Sequence, residues 1–402
     1  MARSCLISNI LIGASLILGS GSAEADATAA QQIESRSYPS VFEAWTPAQY
    51  LEARDGTAVP FVARESTIET EARHDLLIKN WQGFGLRSPQ PYPGLATVFT
   101  DESIKLALQH KKRLLALNPN LLLLASIRYQ SGLNNYLPEE SPWWRRDSAG
   151  RRTAFNKDSE YGSTYLLDFS KPEFRKIVAE QCRALVATGV FDGCFFDWWN
   201  PETPAHVDLI RTVRDTVGGA AILIANVNGR RPEISAPYLN GIYMEGFGAY
   251  FFSDWKMAAG NLLWAQTHLH PPTITALEGW YDANDKLGRD NYALMREVTT
   301  LSLTYSNGYV LFGDPDPLPT PDHLHNWYPF WDKSLGSPTG PLAEPGPSGS
   351  FRREYANGTV VFNPPGNNQV LVHFPQERTS VATGNRARDH EVNAGDGDIF
   401  LK

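Results

Sequence analysis

The sequence predicts an α/β fold: a (β/α)8 TIM barrel followed by a small C-terminal antiparallel β unit. Three observations carry that expectation. Eight short apolar runs follow one another along the chain, helix-like segments separate several of them, and two of the runs end abruptly in a carboxylate. The sharpest is Phe191-Asp-Gly-Cys-Phe-Phe-Asp-Trp-Trp-Asn200. Its apolar stretch is too short for a typical helix and reads as a buried strand of a parallel sheet. In a barrel of parallel strands the functional groups gather where the strands end, on the C-terminal face. Gly241-Ile-Tyr-Met-Glu-Gly-Phe247 repeats the arrangement with Glu245.

The strand candidates are residues 41–45, 76–81, 121–128, 193–199, 221–227, 242–247, 273–280 and 309–313. Residues 102–118 carry apolar side chains at helical spacing and stop before Pro119. Ser170-Lys-Pro-Glu-Phe174 reads as a helix start, with Ser170 as N-cap, Pro172 in the first turn and Glu173 beside it. That helix is expected to end at Gly189. Residues 292–305 form another. Repeated strand–helix units imply a parallel sheet with right-handed crossovers, and eight of them imply closure. Residues 164–169 are also strand-like; if they join the barrel, 41–45 becomes an N-terminal extra. On either count Asp197 and Glu245 stand two strands apart.

Residues 1–27 read as an export signal: Arg3, an apolar stretch from Cys5 to Leu18, then Ala23-Glu-Ala25 and Ala25-Asp-Ala27 as small-x-small cleavage patterns. The mature chain is therefore expected to be secreted or periplasmic. The barrel spans 36–333, a Pro/Gly/Ser-rich linker or surface loop 334–350, and the β unit 351–402, where Asn357-Gly358 between strand-like runs signals a hairpin. The formal net charge of -8 argues against nucleic acid as partner. After signal removal no segment is apolar enough to span a membrane. Cys182 and Cys194 are too few for a disulfide framework. Buried free thiols are the expectation, with a single bridge open to an exported protein. The sequence leaves the oligomeric state open.

Cleaving an acetal needs one carboxyl group to protonate the leaving oxygen and another to attack the anomeric carbon or activate water. Asp197, amid strand-end polar groups, suits the ionised role. Glu245, flanked by Tyr243 and Phe247, suits the acid, since apolar burial raises a carboxyl's proton affinity. The candidate substrate-binding residues are Asn80 and Trp81, Arg128, Trp198 and Trp199, Asn226 and Asn228, and Glu278 and Trp280, all at strand ends. Glu278 is the rival for the acid role. His268/His270 and His323/His325 lie in no recognised metal set, so neither metal nor cofactor is expected. The excursion at 130–163 carries Trp143, Trp144, Arg145, Arg146, Arg151 and Arg152. It is either a cleft wall with affinity for anionic sugar or a solvated flap whose arginines pair locally.

Leu166-Leu-Asp-Phe-Ser-Lys-Pro-Glu-Phe174, a helix, and then Gly189-Val-Phe-Asp-Gly-Cys-Phe-Phe-Asp-Trp-Trp199 resemble the barrels of the hypothetical glycosyl hydrolase family 15. More distantly they are similar to the endo-α-1,4-polygalactosaminidases of glycoside hydrolase family 114. The resemblance covers roughly residues 38–316. It implies a glycoside hydrolase acting with retention on a carbohydrate, with Asp197 and Glu245 matching that relative's catalytic pair. The tryptophan pair after Asp197 departs from the relative's Asp-Asn-hydrophobic ending. Two other readings stand beside this one: a non-catalytic carbohydrate-binding barrel, and a barrel hydrolase or lyase for a non-sugar substrate.

Overall fold

Eight strands hydrogen-bond side by side into one parallel sheet in chain order: β1 (Phe42–Ala44), β2 (Leu76–Asn80), β3 (Leu122–Ile127), β4 (Gly193–Phe196), β5 (Ile222–Asn226), β6 (Gly241–Phe247), β7 (Ile274–Trp280) and β8 (Tyr309–Gly313). Val41 bridges Val310, and the Val310 N–H donates to Ser40 O at 2.9 Å, so β8 returns to β1. The computed structural model describes residues 28–402 except 53–57, 61–64, 157–161, 249–252, 283, 285–287, 289–290, 316–320 and 322. The expected export signal lies outside the described residues.

Side chains alternate across a strand, so every second residue enters the barrel. The inward set includes Phe42, Leu76, Ile78, Leu122, Leu124, Phe195, Ile222, Ile224, Tyr243, Ile274, Tyr309 and Leu311. The intervening residues, among them Leu77, Leu123, Cys194, Phe196, Leu223, Met244 and Leu277, meet the surrounding helices in a second core. Carrying the inward alternation one step further toward the C-terminal mouth reaches Asn80, Ser126, Asp197, Asn226, Glu245 and Glu278. The strand period itself thus delivers a polar layer above an apolar plug.

Seven helices accompany the barrel among the described residues: α1 (Ala29–Ser35), α2 (Thr67–Ala72), α3 (Asp101–Leu117), α4 (Pro172–Ala187), α5 (Pro204–Val217), α6 (Trp255–His268) and α7 (Tyr292–Tyr305). α1 begins ahead of the expected barrel start at residue 36. Thr28 and Gln31 close its first turn in a capping box. Ile33 joins the inward core, and Gln32 Nε2 donates to Leu121 O at 3.2 Å, just before β3. α1 therefore stoppers the N-terminal end. α4 starts one residue later than its capping signal: Lys171 is the N-cap, while the Ser170 hydroxyl donates to Asp168 at 2.5 Å.

Residues 164–169 do not join the barrel. Thr164–Leu166 pairs antiparallel with Ser131–Leu133 and Ala154–Asn156, a small sheet inside the excursion, which leaves 41–45 as the source of β1. Arg151 pairs with Asp147 at 2.8 Å, and Arg146 and Arg152 both reach Glu139. Arg152 also lies 4.2 Å above the Trp144 ring. These cations serve the excursion's own fold.

The tail forms the expected antiparallel sheet from β9 (Phe351–Tyr355), β10 (Gly358–Asn363), β11 (Val370–Ser380), β12 (Arg386–Val392) and β13 (Asp396–Leu401). Tyr355 pairs with Gly358, which places Ala356-Asn357 in the hairpin turn. The sheet docks on α7. Arg296 donates to both Asp396 oxygens at 2.9 and 2.8 Å, and the Tyr355 hydroxyl donates to Leu303 O at 2.8 Å. A Cβ on Gly397 would fall 1.9 Å from Thr300 Oγ1, so only glycine permits this approach. The 334–350 segment is tied down: Leu335 N–H donates to Tyr38 O at 2.7 Å and Ala343 N–H to Thr304 O at 2.9 Å.

Cys182 of α4 and Cys194 of β4 form a disulfide, which corrects the expectation of free thiols. Spacing alone hid it, because the bridge depends on how α4 folds back over β4. The bridge closes a loop of 12 residues' separation, for which loop-closure entropy predicts roughly 3 kcal/mol. A Cys182→Ser/Cys194→Ser protein should lose about that much stability in urea unfolding; an unchanged midpoint would show that the bridge contributes nothing.

Candidate active site

Asp197 follows β4, Asn226 ends β5 and Glu245 lies in β6, so the two acids flank one amide. Asn226 Nδ2 donates to Asp197 Oδ1 at 2.8 Å and to Glu245 Oε2 at 2.5 Å. The amide's orientation is set from behind: the Asn228 N–H donates to Asn226 Oδ1 at 3.1 Å, leaving the NH2 group for the acids. Asp197 Oδ1 also accepts from the Trp198 N–H at 2.9 Å. The Tyr129 hydroxyl donates to the carbonyls of Asp197 at 2.6 Å and Trp198 at 3.0 Å, fixing the backbone that carries the acid. A bulge between Met244 and Phe247, with Gly246 at φ 77°, turns β6 just after Glu245.

Behind Glu245 lies a further layer. Glu278 is fully buried and accepts from the Tyr243 hydroxyl. His323 Nδ1 lies 2.9 and 3.0 Å from the two Glu278 oxygens, and its Nε2 is 3.9 Å from Glu245 Oε1. Trp45 stacks on the His323 ring with centroids 5.1 Å apart. Four non-glycine residues at this mouth take positive φ: Trp45 (58°), Trp198 (56°), Asn228 (50°) and His323 (55°). Such backbone is costly for side-chain-bearing residues and concentrates at functional sites.

Burial pushes the Glu245 carboxyl up to about 8. His323 opposes the rise, while Asp197 and Glu278 add to it and the Asn226 amide moderates it. The group therefore keeps its proton at neutral pH. Glu245, Glu278 and His323 offer donor atoms within 4.8 Å of one another, the acid–histidine trio among the described residues to be weighed as a cation site. The ring turns Nδ1 to Glu278 and Nε2 toward Glu245, linking the buried acid to the one at the mouth.

A cleft of about 410 Å³ opens beside Asp197, lined by Trp45, Asn80, Arg128, Tyr129, Gln130, Phe155 and Trp198 among others. Trp198 is 51% exposed and meets Phe155 edge-on at 5.2 Å. The expected platforms Trp81, Trp199 and Trp280 are not in the cleft wall; all three are buried. Trp81 stands one residue beyond the inward-facing Asn80, so it turns outward and packs on Phe99. Trp199 packs on Tyr129 and on His206 of α5, its Nε1 donating to Ser235 Oγ at 3.3 Å. Trp198 leaves the extended path at φ 56°, which keeps its indole in the cleft and sends Trp199 into the helical shell. Glu278 is sealed behind Tyr243 and His323, and Asn226 is occupied with the acids, so neither is placed to grip a substrate hydroxyl. Trp45 and Tyr129 belong to the mouth without having been singled out from sequence, and Tyr243 was noted there only as an apolar flank of Glu245. The His323/His325 pair was visible as a motif, but only the path of the loop after β8 brings His323 to Glu245.

No protein-family model matches the chain, and no curated protein does. Among solved structures it is similar to a maltogenic α-amylase from Thermotoga neapolitana, at 13% identity and a TM-score of 0.53, over 90% of this chain and 99% of that one. It is also similar to an α-amylase from Malbranchea cinnamomea, at 12% identity and a TM-score of 0.53, over 93% and 97% of the two chains. At these identities the likeness establishes the barrel fold.

The two tryptophans should separate in stability measurements. Trp199→Ala should cost about 3–5 kcal/mol, the scale for emptying a large aromatic site, whereas Trp198→Ala should stay within about 0.5 kcal/mol of wild type. Equal losses in urea unfolding would refute the assignment of one to the core and the other to the cleft.

Proposed function

We propose that this chain is a glycoside hydrolase in which Asp197 and Glu245 are the working carboxyl pair. The observation that carries the reading is the shared Asn226 amide. Two bonds from one nitrogen, 2.8 and 2.5 Å long, keep the accepting oxygens within roughly 5 Å of each other. That matches the ~5–5.5 Å spacing of retaining pairs and falls short of the ~6.5–9.5 Å of inverting ones. The two α-amylases sharing this fold support the class of chemistry and say nothing of this chain's own sugar.

In this mechanism Glu245, protonated at neutral pH, donates its proton to the departing glycosidic oxygen. Asp197, oriented by the Asn226 and Trp198 N–H donors, attacks the anomeric carbon. Glu245, now a carboxylate, takes a proton from water as that water displaces Asp197. Trp198 and Phe155 offer aromatic surface to the sugar, and Arg128 and Asn80 offer polar contacts along the cleft. The same reading puts the protein outside the cytoplasm. The N-terminal export pattern supports that placement, and so does the Cys182–Cys194 bridge, since such bonds persist in oxidising compartments.

A glycan panel that includes acidic and galactosamine-containing polysaccharides, run on wild type, Asp197→Asn and Glu245→Gln, tests the reading. Wild type should turn over at least one glycan, and each variant should lose ~100-fold or more, the scale of an acid–base group. Because the acid form of Glu245 is the working one, wild-type activity should fall as pH rises through about 8. Neither step calls on a metal, so turnover should survive EDTA. Binding without turnover by all three proteins would make this a carbohydrate-binding barrel instead.

A further inference from the structure

His323 is outside the carboxyl pair, yet it is held at the mouth from several sides. Its Nδ1 is held against both oxygens of the buried Glu278 at 2.9 and 3.0 Å, and its ring is stacked on Trp45. Its backbone sits at φ 55°. His325 Nδ1 lies 2.8 Å from the His323 carbonyl, and His325 Nε2 meets His74 Nε2 at 3.0 Å, both rings fully buried. All of this fixes one outcome: Nε2 faces Glu245 Oε1 at 3.9 Å. That distance is too long for a hydrogen bond but well inside the range over which a charge alters a neighbour's proton affinity.

We propose that His323 is a positioning residue for Glu245: an imidazole, held by Glu278, that sets how readily Glu245 releases and retakes its proton. The consequence for turnover rests on the glycosidase reading above; the effect on Glu245 does not. Glu245 must be an acid in the first half of that cycle and a base in the second. Burial, Asp197 across the Asn226 amide and Glu278 behind it all favour the proton on Glu245, and His323 works against them. The groups facing His323 include Glu245 and Tyr243 from β6, Glu278 from β7, Trp45 after β1 and His325 on its own loop. Burial pushes His325 down to about 4, so it is His323 whose charge opposes the proton on Glu245.

The test follows Glu245 itself. In full-length protein labelled at the glutamate carboxyl carbons, the NMR signal that Glu245→Gln removes is titrated in wild type, His323→Gln and His323→Asn, with melting temperatures recorded in parallel. The alkaline limb of the kcat/KM profile is measured alongside. Loss of the imidazole should move the Glu245 titration upward by about one pH unit, the scale of a charge at ~4–6 Å. The kinetic limb should follow, with kcat falling more than KM rises. A ring that merely anchors its loop would lower the melting temperature and leave the titration where it was, and that result in either folded variant overturns the proposal. If wild type cleaves no glycan the glycosidase reading fails, while the NMR titration still decides the role of His323.

Discussion

The constraint on which this structure depends is the alternation of side chains in a closed parallel barrel. Each strand contributes every second residue to the interior, and the tilt of the strands stacks these residues in layers. Below, the layers are filled by large apolar groups such as Phe195, Ile224, Tyr243 and Leu311. At the last step, Asp197, Asn226, Glu245 and Glu278 arrive together because each continues the inward alternation of its own strand. A slip of one residue in β5 would turn Asn226 outward and leave the two acids facing each other without the amide between them. The site's electrostatics follow from this crowding. Three acids share one buried mouth, so it also holds an amide, a tyrosine hydroxyl and an imidazole, and even so burial and like charge leave Glu245 protonated at neutral pH.

What could be read from the sequence is what depends on short-range pattern. Seven of the eight barrel strands lie within a residue or two of the apolar runs that announced them, and the fourth stops three residues short, at Phe196; a parallel strand covered on both faces is mostly apolar until it ends. Asp197 and Glu245 stood out for the same reason. What could not be read depends on direction or distance. The choice between Trp198 and Trp199 turns on the positive φ of Trp198, which leaves one indole in the cleft and sends the next into the helical shell. The Cys182–Cys194 pair needs the return path of α4 over β4. His323, on the loop after β8, is held through its near neighbour His325, which meets His74, far away in sequence.

That loop shows how the strained mouth is held. Outside β1 and β2, Lys79 pairs with Glu43 and, at 2.8 Å, with Glu71 of α2, in a buried network. Burial pushes Glu43 up to about 7, a value that Glu71 also raises and that Lys79 pulls down. His74 lies against this network, 3.7 Å from Glu43 Oε2, and packs edge-on to both His325 and Trp327. A buried ion pair is weak evidence for net stability, since desolvation offsets much of the attraction. Its geometry, though, is demanding. Here it ties α2, β1, β2 and the loop after β8 into one unit, and that loop presents His323 to the acids.

Stabilising contacts and strained ones therefore occupy different places. The α1 stopper closes the end of the barrel opposite the site, the disulfide lies in the helical shell behind β4, and the C-terminal sheet is bonded to α7. None of these touches the carboxyl pair. The C-terminal mouth carries the opposite inventory: four residues at positive φ, a carboxyl kept neutral by burial, and a fully buried glutamate. Residues held in sparsely populated backbone conformations persist only where the surroundings over-determine them. In this barrel the surroundings do so from below and from outside, which leaves the inward face of the last layer free to be arranged for chemistry rather than for packing.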